Sequence, residues 1–62
     1  MEELDSRRSG SFEVALVWYR RTNRLAVVVR DDSDGSEQHV AVDAEHALDA
    51  FHHPFAYLRA AA

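Results

Sequence analysis

Cysteine is absent from this chain, which removes disulfides and thiolate metal sites, two common supports of very small domains. A cysteine nucleophile is excluded with them. Sixty-two residues allow one domain, and a chain of this length buries only about 60% of the surface its unfolded form exposes. The supports left are dense packing, a non-thiolate metal, or association with another chain. Glycine occurs twice, as Gly10 and Gly35, too sparsely for a phosphate-cradling loop. There is no G-x-S-x-G, and the serines lie near the N-terminus or in turns, so no nucleophile–base–acid arrangement is readable. A domain this small is also expected to have little room for a pocket of ~300 Å³. The chain is therefore expected to be no enzyme and to carry no cofactor.

Lysine is missing too. All seven basic residues are arginine and alanine is abundant, a bias expected of a GC-rich bacterial genome. Eleven acidic residues give a net charge of −4, opposite in sign to a domain that binds nucleic acid through phosphates. The opening MEELDSRRSG has no apolar core of a signal peptide. No run approaches the ~18 apolar residues of a membrane-spanning helix. A cytoplasmic location without membrane contact is the expectation.

What is present reads as sheet and helix. Residues 1–10 are polar and charged and are read as a flexible tail, which leaves residues 11–62 as one small domain. Three segments carry β-branched and aromatic residues at period two: residues 12–20 (FEVALVWYR), 24–31 (RLAVVVRD) and 37–43 (EQHVAVD). They predict a three-stranded antiparallel meander in order 1-2-3. Its inner face holds Phe12, Val14, Leu16, Trp18, Leu25, Val27, Val29, Val40 and Val42. Asp34-Gly35 signals a two-residue type I′ turn, which sets Arg30 opposite His39, Val29 opposite Val40 and Val27 opposite Val42. An even loop between the first two strands sets Trp18 opposite Val27 and Leu16 opposite Val29.

The C-terminal segment supplies the cover. Asp43 suits an N-cap, and Ala44, Ala47, Leu48, Phe51, Phe55 and Leu58 fall on one helical stripe. The stripe passes through Pro54, which cannot donate a helical hydrogen bond and disfavours helix at His53. A helix from Ala44 to about Phe51, a break at His52-His53, and a restart at Pro54 are expected. Asp49 and Tyr57 are placed on or near the solvent side. The fold class is α+β, a βββα arrangement with its helix kinked or broken at Pro54.

Candidate sites follow from this frame. The outer sheet face has an apolar centre and a charged rim, the anatomy of an interface. Val17, Tyr19, Val28, Arg30 and His39 are its candidate partner-binding residues. The favoured function is a non-catalytic protein-interaction or homodimerisation module, its partner a second copy or a larger protein. A second class is a nucleic-acid-binding accessory protein that uses the arginine-rich first hairpin, with Arg20, Arg21 and Arg24 as phosphate contacts, together with the outer sheet face. Net charge disfavours it. A third, weaker reading is metal binding by His46, Asp49 and His53, spaced i, i+3, i+7, with His52 beside them. That face points away from the apolar stripe and has no fourth ligand. DDSDGSE superficially suggests a calcium loop, but no glutamate falls six residues after Gly35. A hairpin turn accounts for it.

Overall fold

A computed structural model describes residues 1–61, with side chains as far as Leu58. Four strands, β1 (Glu2–Ser9), β2 (Phe12–Tyr19), β3 (Arg24–Asp31) and β4 (Ser36–Val42), form one antiparallel sheet in order β1-β2-β3-β4. Two short helices follow, α1 (Ala47–His52) and α2 (Pro54–Ala61). α1 lies against β2 and β3, and α2 reaches β4. The α+β class, the meander and the break before Pro54 agree with the sequence reading. The strand count does not: there are four strands, and the first lies in the segment read as a tail.

β1 escapes a pattern search because it lacks apolar alternation. It is held instead by its ladder to β2, with Asp5 opposite Leu16, Arg7 opposite Val14 and Ser9 opposite Phe12. The register shifts at Leu4, between Glu3 and Asp5. Gly10-Ser11 makes the connection, and Gly10 takes φ +60, as the first position of a tight hairpin turn requires. Ion pairs fasten both ends: Arg20 to Glu2, and Arg8 to Asp32 at 2.7 Å.

The two predicted hairpins form, each with its register moved by two residues. Their loops are Arg20–Asn23 and Asp32–Gly35, each ending on a left-handed residue, Asn23 at φ 55 and Gly35 at φ 73. Trp18 faces Leu25 rather than Val27, and Leu16 faces Val27 rather than Val29. Across the second hairpin, Arg30 faces Glu37, Val29 faces Gln38 and Val27 faces Val40. A shift of two keeps every side chain on its face, so hydrophobic alternation cannot detect it. Turn chemistry decides. Asp31 Oδ1 accepts from Ser33 N and Ser33 Oγ at 2.9 and 2.7 Å, and Asp34 Oδ1 accepts from Ser36 N at 2.8 Å. Gly35 N donates to Asp31 O at 2.8 Å. These side-chain bonds satisfy turn donors that a two-residue loop would arrange differently.

The core forms between the inner sheet face and α1. Val14, Leu16, Val27 and Val29 pack with Ala47, Ala50 and Phe51, flanked by Phe12, Leu25, Val42, Tyr57 and Leu58. Phe51 is 3% exposed, and its burial contributes on the order of 3 kcal/mol. Small side chains at Ala47 and Ala50 let α1 come close to the sheet, with Phe51 filling the space beside them. This corrects the predicted stripe: Ala50 is inside, whereas Leu48 and Phe55 are 65% and 48% exposed. Phe55 still meets Phe12 edge-on, ring centres 5.1 Å apart. Regular helix begins at Ala47 rather than Ala44, because residues 44–46 form a turn. Asp43 caps that turn, its Oδ1 accepting from His46 N at 2.9 Å. Tyr57 is half-buried rather than solvent-facing, and its hydroxyl donates to Asp49 Oδ2 at 2.7 Å.

At the break, His53 N donates to Asp49 O at 2.8 Å and closes α1. The carbonyls of Phe51 and His52 would accept from residues 55 and 56 in a continuous helix. Arg7 replaces those donors. Its Nε and Nη2 donate to Phe51 O at 3.2 and 2.9 Å, and Nη2 also donates to His52 O at 3.1 Å. The guanidinium lies 5.6 Å from the centre of the Phe51 ring. A side chain of the first strand thus closes the end of the helix that covers the sheet.

Candidate functional site

The outer sheet face is built by the residues of each strand that point away from the helices. Pairing sets them in rows across the sheet. One row runs Arg8, Glu13, Arg30, Glu37 and alternates in sign from β1 to β4. The next is Ser6, Ala15, Val28 and His39, and the one after is Glu3, Val17, Ala26 and Ala41. Arg30 sits between two carboxylates, with Nη1 3.5 Å from Glu13 Oε1 and Nη2 3.6 Å from Glu37 Oε1. His39 Nε2 lies 3.2 Å from the same Glu37 oxygen.

The centre of this face is a second apolar cluster of Ala15, Val17, Ala26 and Val28, with Tyr19 packed against it. No helix among the described residues lies over it. Even so, Val17 is 2% and Val28 6% exposed. The surrounding side chains lean over the small residues of the floor. They leave a shallow depression of about 80 Å³ lined by Met1, Glu3, Glu13, Arg30 and Glu37 around Ala15, Val17 and Val28. Of the five residues singled out in the sequence, Val17 and Val28 form the floor, Tyr19 is half-buried, and Arg30 and His39 stand exposed on the rim. The structure brings all five to one face. The sequence reading missed Glu3 and Arg8, both contributed by β1. Gly10-Ser11 before the apolar run was the signal that could have found them, since Gly-Ser between two extended segments marks a hairpin.

The other candidate groups separate. Arg20 pairs with Glu2 and lies 5.6 Å from the Trp18 ring centre, so its charge is neutralised by β1. Arg21 and Arg24 are exposed and make no ion pair among the described residues. Asn23 Oδ1 accepts from Trp18 Nε1 at 3.0 Å and braces the hairpin tip. His46, Asp49 and His53 do not converge. His46 Nδ1 lies 2.7 Å from Asp43 Oδ1, and the Asp49 carboxylate is engaged by the Tyr57 hydroxyl. No group of three or more histidine, aspartate or glutamate residues able to hold a metal occurs among the described residues. His52 is exposed and meets the Phe51 ring edge-on at 5.5 Å. The Asp43 carboxyl titrates below the usual range because the His46 side chain and amide both hydrogen-bond to it. The Tyr57 phenol titrates above its ordinary value through its bond to Asp49.

The helices leave one end of the inner face uncovered. Leu4, Trp18, Leu25 and Val42 line an open cleft of about 650 Å³ there, with Asn23, Arg24 and Asp43 at its mouth. The expectation that so small a domain lacks space on this scale is not met. The cleft exists because α1 starts only at Ala47, so the turn before it leaves the sheet bare. No helix among the described residues is long and apolar enough to cross a membrane. No protein-family model, curated protein or solved structure matches this chain.

Proposed function

We propose that this protein is a non-catalytic interaction or homodimerisation module whose contact surface is the outer sheet face. One observation carries the reading. An apolar cluster of Ala15, Val17, Ala26 and Val28 lies under nothing but rim side chains, where the opposite face of the same sheet has two helices. These four residues are already shielded by the rim, so a partner would bury chiefly the rim side chains over them, and small domains without disulfides gain stability from such association. The rim supplies the register: Arg30 and His39 are exposed and Tyr19 offers a half-buried ring, arginine and tyrosine being residue types that anchor interfaces.

Ala41→Arg tests the face without disturbing the core, because Ala41 is exposed beside Ala26, in the row that also holds Val17. Light scattering across a concentration series, and capture of partners on the immobilised protein, are the readouts. The reading expects association that Ala41→Arg weakens at least tenfold while the melting temperature stays within a few degrees. Association equally strong in wild type and variant would remove the outer face from the proposal.

A further inference from the structure

An antiparallel sheet of four strands has two edges, and this one treats them differently. β1 is guarded. Five of its eight residues are charged (Glu2, Glu3, Asp5, Arg7 and Arg8), and its register breaks at Leu4. Charge and bulges on an edge strand prevent another strand from adding to it. β4 has neither device. Its register with β3 is regular over all seven residues, it contains no proline, and Glu37 is its only carboxylate. Ser36, Glu37, Gln38, His39 and Ala41 are exposed. A regular, weakly charged strand whose outward N–H and C=O groups have no strand beside them among the described residues is a template for one more strand.

The charge pattern says which strand fits. On the outer face the row Arg8, Glu13, Arg30, Glu37 alternates in sign and stops on a carboxylate at the open edge. The next strand should therefore offer a cation or donor opposite Glu37. A second copy of β4, antiparallel and centred on Gln38, sets His39 of each copy opposite Glu37 of the other. Both residues lie on the outer face, so the parity of the sheet is kept. Imidazole can donate to a carboxylate whether neutral or protonated. Centring the pair on His39 would instead place two imidazoles together and leave Glu37 opposite Ala41. We infer that this protein forms a two-fold dimer by pairing β4 with β4 of a second copy, centred on Gln38. The product is one continuous sheet of eight strands, with both pairs of helices on the same side and the two outer faces joined. This inference rests on the interaction-module reading and names its first partner, leaving the joined outer faces open to a larger one.

The missing cysteine supplies the test. Opposed residues in an antiparallel pair have Cα atoms about 4.5–5.5 Å apart, within the reach of a disulfide. Gln38→Cys in a chain without other cysteines should convert under mild oxidation into a covalent dimer. His39→Cys and Ser6→Cys, the latter on β1, should not. Gln38→Lys opposes two like charges at the dyad and should raise the dimer dissociation constant at least tenfold by light scattering. A monomer at every concentration overturns this inference and the homodimer branch of the proposed function together. A dimer that resists Gln38→Lys and forms no Gln38→Cys disulfide overturns the edge alone and returns the contact to the outer face. A disulfide through His39→Cys in place of Gln38→Cys overturns the register.

Discussion

Arg7→Ala should be among the most damaging substitutions outside the apolar core, although Arg7 lies in a polar strand. The guanidinium makes three hydrogen bonds to the carbonyls of Phe51 and His52 and sits over the Phe51 ring. A bond from a charged donor nets roughly 1.5–3 kcal/mol where it is shielded, and a cation at a helix C-terminus adds about 0.3–1 kcal/mol. These contributions share one half-exposed side chain and do not add, so about 2 kcal/mol is the reasoned loss. A 62-residue domain has a total stability of roughly 3–9 kcal/mol. The melting temperature should fall by about 8–16 °C at a fixed protein concentration.

Arg8→Ala is the control. It is the next residue on the opposite face, and its pair with Asp32 is solvent-exposed on both sides, 54% and 45%. Exposed pairs of this kind contribute little to stability. Arg7→Lys keeps the charge and loses the planar fork, so it should recover about half of the deficit. Fluorescence of Trp18, the only tryptophan, and circular dichroism follow the melts. Urea midpoints provide a second measure. If Arg7→Ala and Arg8→Ala fell within about 0.5 kcal/mol of each other, the clamp between β1 and α1 would not exist in solution.

Three further outcomes follow from named contacts. Gly35→Ala should cost about 1–2 kcal/mol from conformation alone, because φ is +73 and a Cβ would meet nothing within 4 Å. Gly35→Asn should cost measurably less, and equal effects would contradict a left-handed loop end. Asp43→Ala should destabilise near neutral pH. Its carboxyl is depressed by His46, so its contribution is present above the unfolded value of about 3.9 and is lost as pH falls through the lower folded value. The gap between wild type and Asp43→Ala should accordingly narrow below about pH 4, and a gap independent of pH would exclude the bond. Tyr57 titrates high because its hydroxyl donates to Asp49. That contribution is present below about pH 10 and is lost as pH rises through the raised value. Absorbance titration should show the phenol moving down in Asp49→Ala, and an unmoved titration would rule out the bridge across the helix break.

The sequence made the central sheet legible because alternation over β2, β3 and β4 reports burial directly. Every residue predicted for the inner face lies there. The exact pairing was hidden, since a shift of two residues leaves Val27 and Val29 on the same face whether they meet Val40 and Val42 or Gln38 and Val40. Asp31, Ser33 and Asp34 held that information in their side-chain bonds, which a turn signal of two residues ignores. β1 was hidden for another reason. Its inner-facing Asp5 and Arg7 make it look solvated, and only the Gly10-Ser11 turn betrays it. The outer-face site was legible in residue type and face. Its enclosure was not, because Val17 and Val28 are shielded by rim side chains from several strands, including Glu3 from the strand that alternation could not find.

The polar character of β1 has consequences at both ends of the architecture. Arg7 faces inward and fastens the broken helix, so the segment with the least apolar surface joins the chain's first strand to its last helices. That arrangement stabilises a core too small to do so by burial alone, in a chain with no disulfide to replace it. Charge also makes β1 unfit to pair with another strand. The sheet therefore has a preferred direction of growth. One edge is closed by the same charges that hold the fold together. The other, β4, ends a row of alternating charge on Glu37 and is regular enough to accept a partner strand. Moving the guarding charges from β1 to β4 should move that direction with them. Gln38→Lys would guard β4 and yield a monomer whose outer face and helix clamp are unchanged, because Gln38 pairs with the inner-facing Val29.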